Sequence, residues 1–283
     1  FGDPESLRPL WEESIRNIPS EYVLSEPAGG IGFDFGNGML VSRDILRYQH
    51  VINTLHNHGI VSLLAKANGR RRLILEIGAG YGGLLHHLSR ILPNATYVIV
   101  DLPETLLFSA SYLSLLNSNK RIYLYRPDDT TGSIQSAITD AFDFLLVPNY
   151  RLDELRRFQF DLVLNVASLQ EMRADQVNTY LDFIAQTCTG VFYSWNEDVQ
   201  IKNKEMDKLS RRLMTRFTLT EVLPQQPMKR LTGKDKVRLK LREALKSAAI
   251  LVGLLDQSEL ASKDVGRTCH EYICRPLAGV RST

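Results

Sequence analysis

The sequence predicts an α/β protein with a doubly wound, mostly parallel sheet of seven strands and a helical extension at its N-terminus. Apolar segments of strand length alternate with segments of helical periodicity through the middle of the chain, which is typical of parallel sheets. An apolar run leading into a glycine-crowded turn marks the start of this alternation. Residues 217–223 and 268–274 look like a terminal antiparallel strand pair.

The composition is that of an ordinary globular protein. With 34 basic and 32 acidic residues, the charge is nearly balanced and gives no reason to expect nucleic-acid binding. The three cysteines are an odd number without metal-type spacing, which favours a reduced, intracellular protein, so we expect a cytoplasmic location. The longest apolar run, Ala248 to Leu255, has the length of a core helix. No transmembrane segment is therefore expected.

Residues 1–69 are predicted to form a helical region that caps the rest of the chain. A first helix covers about residues 4–18, where apolar residues recur at helical spacing until Pro19 ends it. Ser42 is a suitable N-cap for a second helix that runs to about His58. A shorter helix follows near residues 60–67.

The segment 27–38 is too glycine-rich for regular structure and predicts a long loop. One interpretation is a flexible connector. The other is a segment that folds over a bound ligand, because Phe33 and Phe35 suit a solvated linker poorly.

The α/β core, residues 70–283, begins with an apolar strand that contains Glu76 and ends at Ile77. The next residues predict a tight turn into a helix of residues 83–92, with bare backbone and free helix N–H groups available to a nucleotide-like ligand. The residues of this turn are Gly78, Ala79, Gly80 and Gly82.

A second buried strand, residues 96–101, ends in Asp101, roughly twenty residues beyond the turn. That distance suits a carboxylate that accepts hydrogen bonds from ribose hydroxyls at the end of the neighbouring strand. Pro103 then starts a helix that runs to about Leu116.

Three further parallel strands are predicted at residues 144–147, 160–165 and 190–195, with residues 121–140 as an insertion or an edge element. Ligands of open α/β sheets bind at the carboxyl ends of the strands. The residues expected at those ends form one cleft: the glycine turn, Asp101, Asn149, Asn165 and Glu171.

A basic helical insertion is predicted around residues 228–264, with an apolar stripe. It is interpreted as an amphipathic helix that packs on the sheet or on a partner subunit of a homo-oligomer. The alternatives are a lid over the acceptor and a contact with an anionic surface.

The pattern Glu76-x-Gly78-x-Gly80-x-Gly82 with Asp101 resembles the cofactor site of class I S-adenosylmethionine-dependent methyltransferases. A dinucleotide-binding oxidoreductase normally has G-x-G-x-x-G and does not require the acid before the first glycine. A closer resemblance is to the sugar O-methyltransferase family, over roughly residues 40–200. It is carried by segments 73–83, 100–104, 160–165 and Ser168-Leu169-Gln170-Glu171-Met172, and by Leu46-Arg47-Tyr48 and Tyr193-Ser194-x-Asn196.

The resemblance implies a Rossmann-like methyltransferase fold and assigns roles around S-adenosylmethionine. The glycines would admit the methionine part of the cofactor, and Glu76 would orient its ammonium group. Asp101 would hold the ribose hydroxyls, Leu102 would pack on the adenine, and Asn165 would offer backbone near the methionine. The implied acceptor is a small molecule or carbohydrate.

Methyl transfer to a sugar hydroxyl needs a base, because a neutral hydroxyl is a poor nucleophile. Glu171 is the first candidate, and the alternative is that it caps a helix or pairs with Arg173. Asn196 and Asp198 suit hydrogen bonding to substrate hydroxyls. A divalent metal held by Glu171, Asn196 and Asp198 is a mechanistic alternative that no spacing in the sequence indicates.

Two other functions stay open from the sequence. One is a nicotinamide- or flavin-dependent oxidoreductase, and the other is a methyltransferase-like fold kept as a non-catalytic binding subunit. The sequence does not identify the sugar or the hydroxyl that is methylated.

Overall fold

The computed structural model describes residues 4–36, 38–66, 69–126, 128, 133–198, 208–222 and 269–277. They form an α/β structure around an eight-stranded sheet and a separate two-stranded hairpin. The predicted basic helix at 228–264 lies outside the described residues.

The strands of the hairpin are β1 (Phe33–Asp34) and β2 (Leu40–Val41). The large sheet contains β3 (Arg72–Ile77), β4 (Ala95–Asp101), β5 (Ile122–Leu124), β6 (Phe144–Pro148), β7 (Phe160–Val166), β8 (Cys188–Glu197), β9 (Phe217–Glu221) and β10 (Cys269–Pro276). Their order in space is β5-β6-β4-β3-β7-β8-β10-β9. In this spatial order, all neighbouring strands from β5 at the edge to β8 pair in parallel. Strand β10 runs antiparallel to both β8 and β9.

This arrangement confirms the predicted doubly wound, mostly parallel sheet. All seven predicted strands are present, and the segment that the sequence left as an insertion or edge element supplies β5 as an eighth strand at the edge. The terminal pair is antiparallel as predicted, in the register Tyr272↔Glu221 to Pro276↔Phe217.

The helices are α1 (Pro4–Ile15), α2 (Arg43–Asn57), α3 (Ile60–Ala65), α4 (Gly83–Ile91), α5 (Pro103–Leu116), α6 (Ser133–Thr139), α7 (Ala174–Thr187) and α8 (Leu209–Met214). Ser42 caps α2 as predicted, because its Oγ accepts a hydrogen bond from the Ile45 N–H at 3.1 Å. In the described residues none of the helices is long and apolar enough to cross a membrane.

The glycine-rich segment departs from its prediction as an irregular loop. Phe33 pairs with Val41 and Asp34 with Leu40 in the short hairpin. Two aromatic rings give this segment a packing surface: Phe35 stacks on Phe33 with ring centroids 6.5 Å apart, and the Arg8 guanidinium lies over it at 4.8 Å. The glycine-rich segment therefore forms a strand pair next to phenylalanine rings that pack on each other and on Arg8.

The sheet is buried on both faces, so its strands are apolar runs without polar alternation. One core, on the side of α2 and α4, contains Ile74, Tyr97, Leu162 and Tyr193 and extends to Trp11 of α1. The other core lies against α7 and contains Leu75, Val98, Phe160 and Phe192. The N-terminal helices thus pack on the same hydrophobic core as the sheet.

The chain places β4, β5 and β6 on one side of β3 and then returns to place β7 on the other side. In open α/β sheets the crevice at such a switch point, at the carboxyl ends of the strands, is where ligands bind. The turn after β3 opens directly on this crevice.

Candidate functional site

The turn after β3 is held in left-handed backbone conformations that favour glycine. The φ angles are +73° at Gly78, +58° at Gly80 and +85° at Gly82. A Cβ at Gly78 would overlap the Ser168 side chain, whereas a Cβ at Gly80 would meet, among the described residues other than its chain neighbours, no heavy atom within 4 Å. Gly78 therefore permits close packing between neighbouring strand ends, and Gly80 leaves open space on the cleft side.

Asp101, at the end of β4, joins this turn to the neighbouring strand. Its Oδ2 accepts a hydrogen bond from the Gly80 N–H at 2.9 Å, and its Oδ1 accepts one from the Leu102 N–H at 2.7 Å. Burial raises the pKa of Asp101, against the opposing effect of these N–H donors. Leu102 follows with 54% of its surface exposed, so it offers an apolar surface beside the carboxylate.

Glu76 is the buried acid of the site. It is only 3% exposed, and its Oε2 has no hydrogen-bond partner among the described residues. Burial, with a smaller contribution from the negative charge of Asp101, raises the pKa of Glu76 to about 8. A buried carboxyl oxygen without a partner is costly, so this position favours a ligand that brings a positive charge or a hydrogen-bond donor.

The ends of β7 and β8 are tied together by two asparagines. The Asn165 Nδ2 donates to the Ile77 carbonyl oxygen at 2.9 Å, which fixes β7 against the strand before the glycine turn. The Asn196 Nδ2 donates to the Asn165 Oδ1 at 2.8 Å and to the Ser194 Oγ at 3.0 Å, and its Oδ1 accepts from the Gln170 N–H at 3.4 Å. With 1% of its surface exposed, Asn196 holds the strand ends in place through internal bonds.

Glu171 lies in a short 3₁₀ turn, Leu169–Glu171, and is exposed. Asp198 accepts hydrogen bonds from the Ser210 N–H at 2.6 Å and the Ser210 Oγ at 2.9 Å. Asp198 and Asn196 are thus already engaged with protein partners. Within the described part of the chain no group of three or more His, Cys, Asp or Glu side chains is arranged to hold a metal ion.

Helix α2 lies between the glycine turn and a second feature of the site, a pocket on the other side of the helix. The Tyr81 hydroxyl donates to Asp44 Oδ2 at 3.2 Å, and the Arg47 guanidinium lies 3.5 Å from Asp44 Oδ1. Tyr48 lies so close to Gly83 that a Cβ there would meet its ring at 2.7 Å. The N-terminal half of α2 therefore lies against the turn.

The second feature is a pocket of about 640 Å³, which the sequence analysis did not predict. Polar residues of α2 line it at helical spacing, and residues of α1, β8 and β9 complete the wall; they include Arg43, Arg47, His50, Thr54, Trp195 and Glu221. The recurrence of polar residues along one face of α2 was the available signal. The sequence alone could not show what faced that stripe.

No protein-family model matches the sequence, and no curated protein is significantly similar to it. Three solved structures illustrate the matches to the fold. An O-methyltransferase family protein from Burkholderia thailandensis has 11% identity and a TM-score of 0.39 over 64% of this chain, and the chain covers 57% of that protein.

A protein from Galdieria sulphuraria assigned as a sarcosine dimethylglycine methyltransferase has 13% identity and a TM-score of 0.45, covering 82% of this chain and 86% of its own. Magnesium protoporphyrin IX methyltransferase from Synechocystis PCC 6803 has 14% identity and a TM-score of 0.37, and the match covers 63% of this chain and 77% of that protein. With TM-scores below 0.5, these likenesses carry no argument about function. The resemblance to the sugar O-methyltransferase family stays a prediction.

Proposed function

We propose that this protein is an S-adenosylmethionine-dependent O-methyltransferase that acts on a hydroxyl of a sugar or saccharide-containing acceptor. The observation that carries the cofactor assignment is the buried Glu76 carboxyl, with an unpartnered oxygen, beneath a glycine turn that has open space at Gly80. The cofactor class also rests on the resemblance of residues 76–82 with Asp101, and the sugar class on the segments around Ser168–Met172 and Asn196.

The buried acid next to the turn distinguishes S-adenosylmethionine from a dinucleotide as the expected ligand. The glycine spacing does not, because Gly78, Gly80 and Gly83 also satisfy G-x-G-x-x-G. A dinucleotide places its pyrophosphate at the glycine turn and the helix N-terminus. The ammonium group of S-adenosylmethionine would donate to the unpartnered Oε2 of Glu76 and favour the ionised carboxylate, whereas a pyrophosphate brings negative charge and no hydrogen-bond donor to this oxygen.

In the proposed complex, the backbone of Gly78, Ala79, Gly80 and Gly82 lies against the methionine part of the cofactor, and Glu76 accepts from its ammonium group. Asp101 holds the ribose hydroxyls, and the exposed Leu102 packs on the adenine. Asn165 fixes the neighbouring backbone near the methionine through its bond to Ile77.

When bound, the cofactor supplies an electrophilic methyl group on a sulfonium. The protein contributes alignment of the acceptor and exclusion of water, which account for a large part of the rate of such a displacement. We propose that residues 1–69 form the cap over this core. Asn196 acts as a positioning residue for the ends of β7 and β8, and the role of Glu171 as base stays a prediction.

Calorimetry with S-adenosylhomocysteine and with NADH tests the cofactor. We expect the protein to bind S-adenosylhomocysteine, because its ammonium group satisfies Glu76, and not to bind NADH. Binding of NADH alone would support an oxidoreductase and contradict the proposal.

Transfer of a labelled methyl group tests the acceptor class, with a panel of nucleotide sugars, sugar phosphates and polysaccharides. Labelled product from at least one saccharide is expected. Cofactor binding without transfer to any acceptor would instead favour a non-catalytic binding subunit. Complete loss of transfer after EDTA treatment, with recovery on adding magnesium, would require the metal-assisted route.

A further inference from the structure

The pocket beside α2 adjoins the cleft at the strand ends through two sets of contacts. Trp195, in its wall, is near the end of β8, and its carbonyl oxygen accepts a hydrogen bond at 2.8 Å from the N–H of Ala167, just after β7. On the other side, Arg47 contacts Asp44, which accepts from Tyr81 in the glycine turn. The wall of the pocket is therefore linked, through Trp195 and through Arg47, to residues on both sides of the proposed cofactor site.

His50 lies in the wall of this pocket and pairs with a buried glutamate behind the wall. His50 Nε2 lies 2.7 Å from Glu271 Oε2, and Glu271 Oε1 accepts a hydrogen bond from the Tyr193 hydroxyl at 2.7 Å. Because Nε2 faces the carboxylate, the neutral imidazole donates from Nε2 and keeps its lone pair on Nδ1. The His50 side chain is 37% exposed, and its ring lies 4.6 Å, centroid to centroid, from the indole of Trp195.

Glu271 is suited to hold this tautomer. Burial raises its pKa, but the hydrogen bond and charge of His50, together with hydrogen bonds from Thr54 and Tyr193, outweigh burial and keep the pKa below its ordinary value. An ionised, buried carboxylate stabilises the imidazolium that forms when the ring takes up a proton, as the buried aspartate does in serine hydrolases. Glu271 thus orients His50 without itself lining the pocket.

The charges in the wall indicate the class of acceptor. The two acids that line the pocket already have partners, since Glu13 pairs with Arg16 at 2.8 Å and Glu221 with His270 at 3.2 Å. Arg43 is exposed and has no ion pair among the described residues, and Arg47 has only its pair with Asp44. Two arginines one helical turn apart suit an anionic group.

Resting on the proposed methyltransferase function, we propose that this pocket binds the acceptor and that His50, oriented by Glu271, removes the proton of its hydroxyl. The acceptor is a polyol or sugar that carries a phosphate or carboxylate, which Arg43 and Arg47 bind. This assignment makes His50, rather than Glu171, the base.

The hydroxyl proton moves to His50 Nδ1, and the oxygen lone pair forms a bond to the methyl carbon. The carbon–sulfur bond breaks with its electron pair left on sulfur, which yields a methyl ether and S-adenosylhomocysteine. The imidazolium then releases its proton to solvent.

The test compares His50→Ala, Glu271→Gln, Glu171→Gln and the double variant Arg43→Ala/Arg47→Ala, with Arg157→Ala as a control at an exposed arginine. Labelled methyl transfer is measured with sugar phosphates, uronic acids and neutral sugars. The same panel is titrated without cofactor by the fluorescence of Trp195, taken as the signal lost in Trp195→Phe. Affinity for S-adenosylhomocysteine is measured in parallel.

We expect His50→Ala to lose at least 100-fold in kcat with cofactor affinity within twofold, and added imidazole to restore part of the rate. Glu271→Gln should lower kcat with KM within threefold. The arginine double variant should raise KM about 10-fold for the anionic acceptors only, and a preference for phosphates over uronic acids would identify the anion.

The inference is overturned if His50→Ala keeps its rate of methyl transfer while Glu171→Gln loses it. It is also overturned if every member of the panel fails both to be methylated and to change the fluorescence of Trp195. Failure of the proposed function looks different. In that case S-adenosylhomocysteine does not bind, whereas acceptors still quench Trp195 if the pocket is assigned correctly.

Discussion

Glu76→Gln is expected to weaken the binding of S-adenosylhomocysteine about 100-fold and to stabilise the ligand-free protein above neutral pH. Loss of a buried charge partner costs binding a few kcal/mol, or about 100-fold in affinity. The same change removes a carboxyl that has no partner for its Oε2 when no ligand is present. Affinity and stability should therefore move in opposite directions.

The raised pKa of Glu76 determines how the free energy of unfolding changes with pH. In the unfolded chain Glu76 ionises near 4.5, and in the folded protein near 8. Between these values the folded state binds more protons, so the free energy of unfolding falls as the pH rises from about 4.5 to about 8. Each pKa unit corresponds to about 1.4 kcal/mol, so Glu76→Gln should flatten this decline noticeably.

Thermal unfolding of the wild type and Glu76→Gln across this range, with calorimetry for affinity, checks both effects. Glu12→Gln is the matched control, because it makes the same exchange at an exposed position of α1. Equal affinity in Glu76→Gln and wild type would show that Glu76 does not contact the cofactor.

Gly80→Ala is expected to abolish measurable cofactor binding, a loss of at least 100-fold, at a stability cost of about 1 kcal/mol. The cost is modest because only the left-handed backbone conformation, φ +58°, is strained, and apart from its chain neighbours no described residue has a heavy atom within 4 Å of the new Cβ. The methyl group would occupy the open space where the proposed cofactor meets the turn.

Gly69→Ala is the control that separates the loss of stability from the loss of cofactor binding. Gly69 also has a left-handed conformation, φ +76°, and beyond its chain neighbours no heavy atom of the described chain lies within 4 Å of a Cβ there, but it precedes β3 and lies away from the cleft. Both variants should show similar losses in the free energy of unfolding, measured by urea denaturation. If Gly80→Ala retains wild-type affinity for S-adenosylhomocysteine, the cofactor does not lie against this turn.

Most of the sheet was predictable from the sequence because the parallel strands other than β5 are short apolar runs bounded by turn residues, whereas β5 has only three residues. The register of β10 against β8, and the hairpin at residues 33–41, depend on side-chain packing that spacing does not encode. The turn and Asp101 were also predictable, since they follow strand ends that must lie at one edge of the sheet.

The His50–Glu271 pair could not be predicted, because 221 positions separate the two residues and only the antiparallel placement of β10 brings them together. Asn196 illustrates the opposite error. A polar residue after a strand looked available to substrate, but its side chain is buried and bonded to Asn165. Polarity in a sequence does not reveal whether a protein partner already satisfies it.

The most direct test of the cofactor assignment is the number of protons exchanged when S-adenosylhomocysteine binds at pH 7. Calorimetry in buffers of different ionisation enthalpy measures this number. With its pKa near 8, Glu76 is mostly protonated in the free protein and ionises beside the ligand's ammonium group, so about one proton should be released. Glu76→Gln should release close to none. Binding without proton release in the wild type, or no binding at all, would contradict the account.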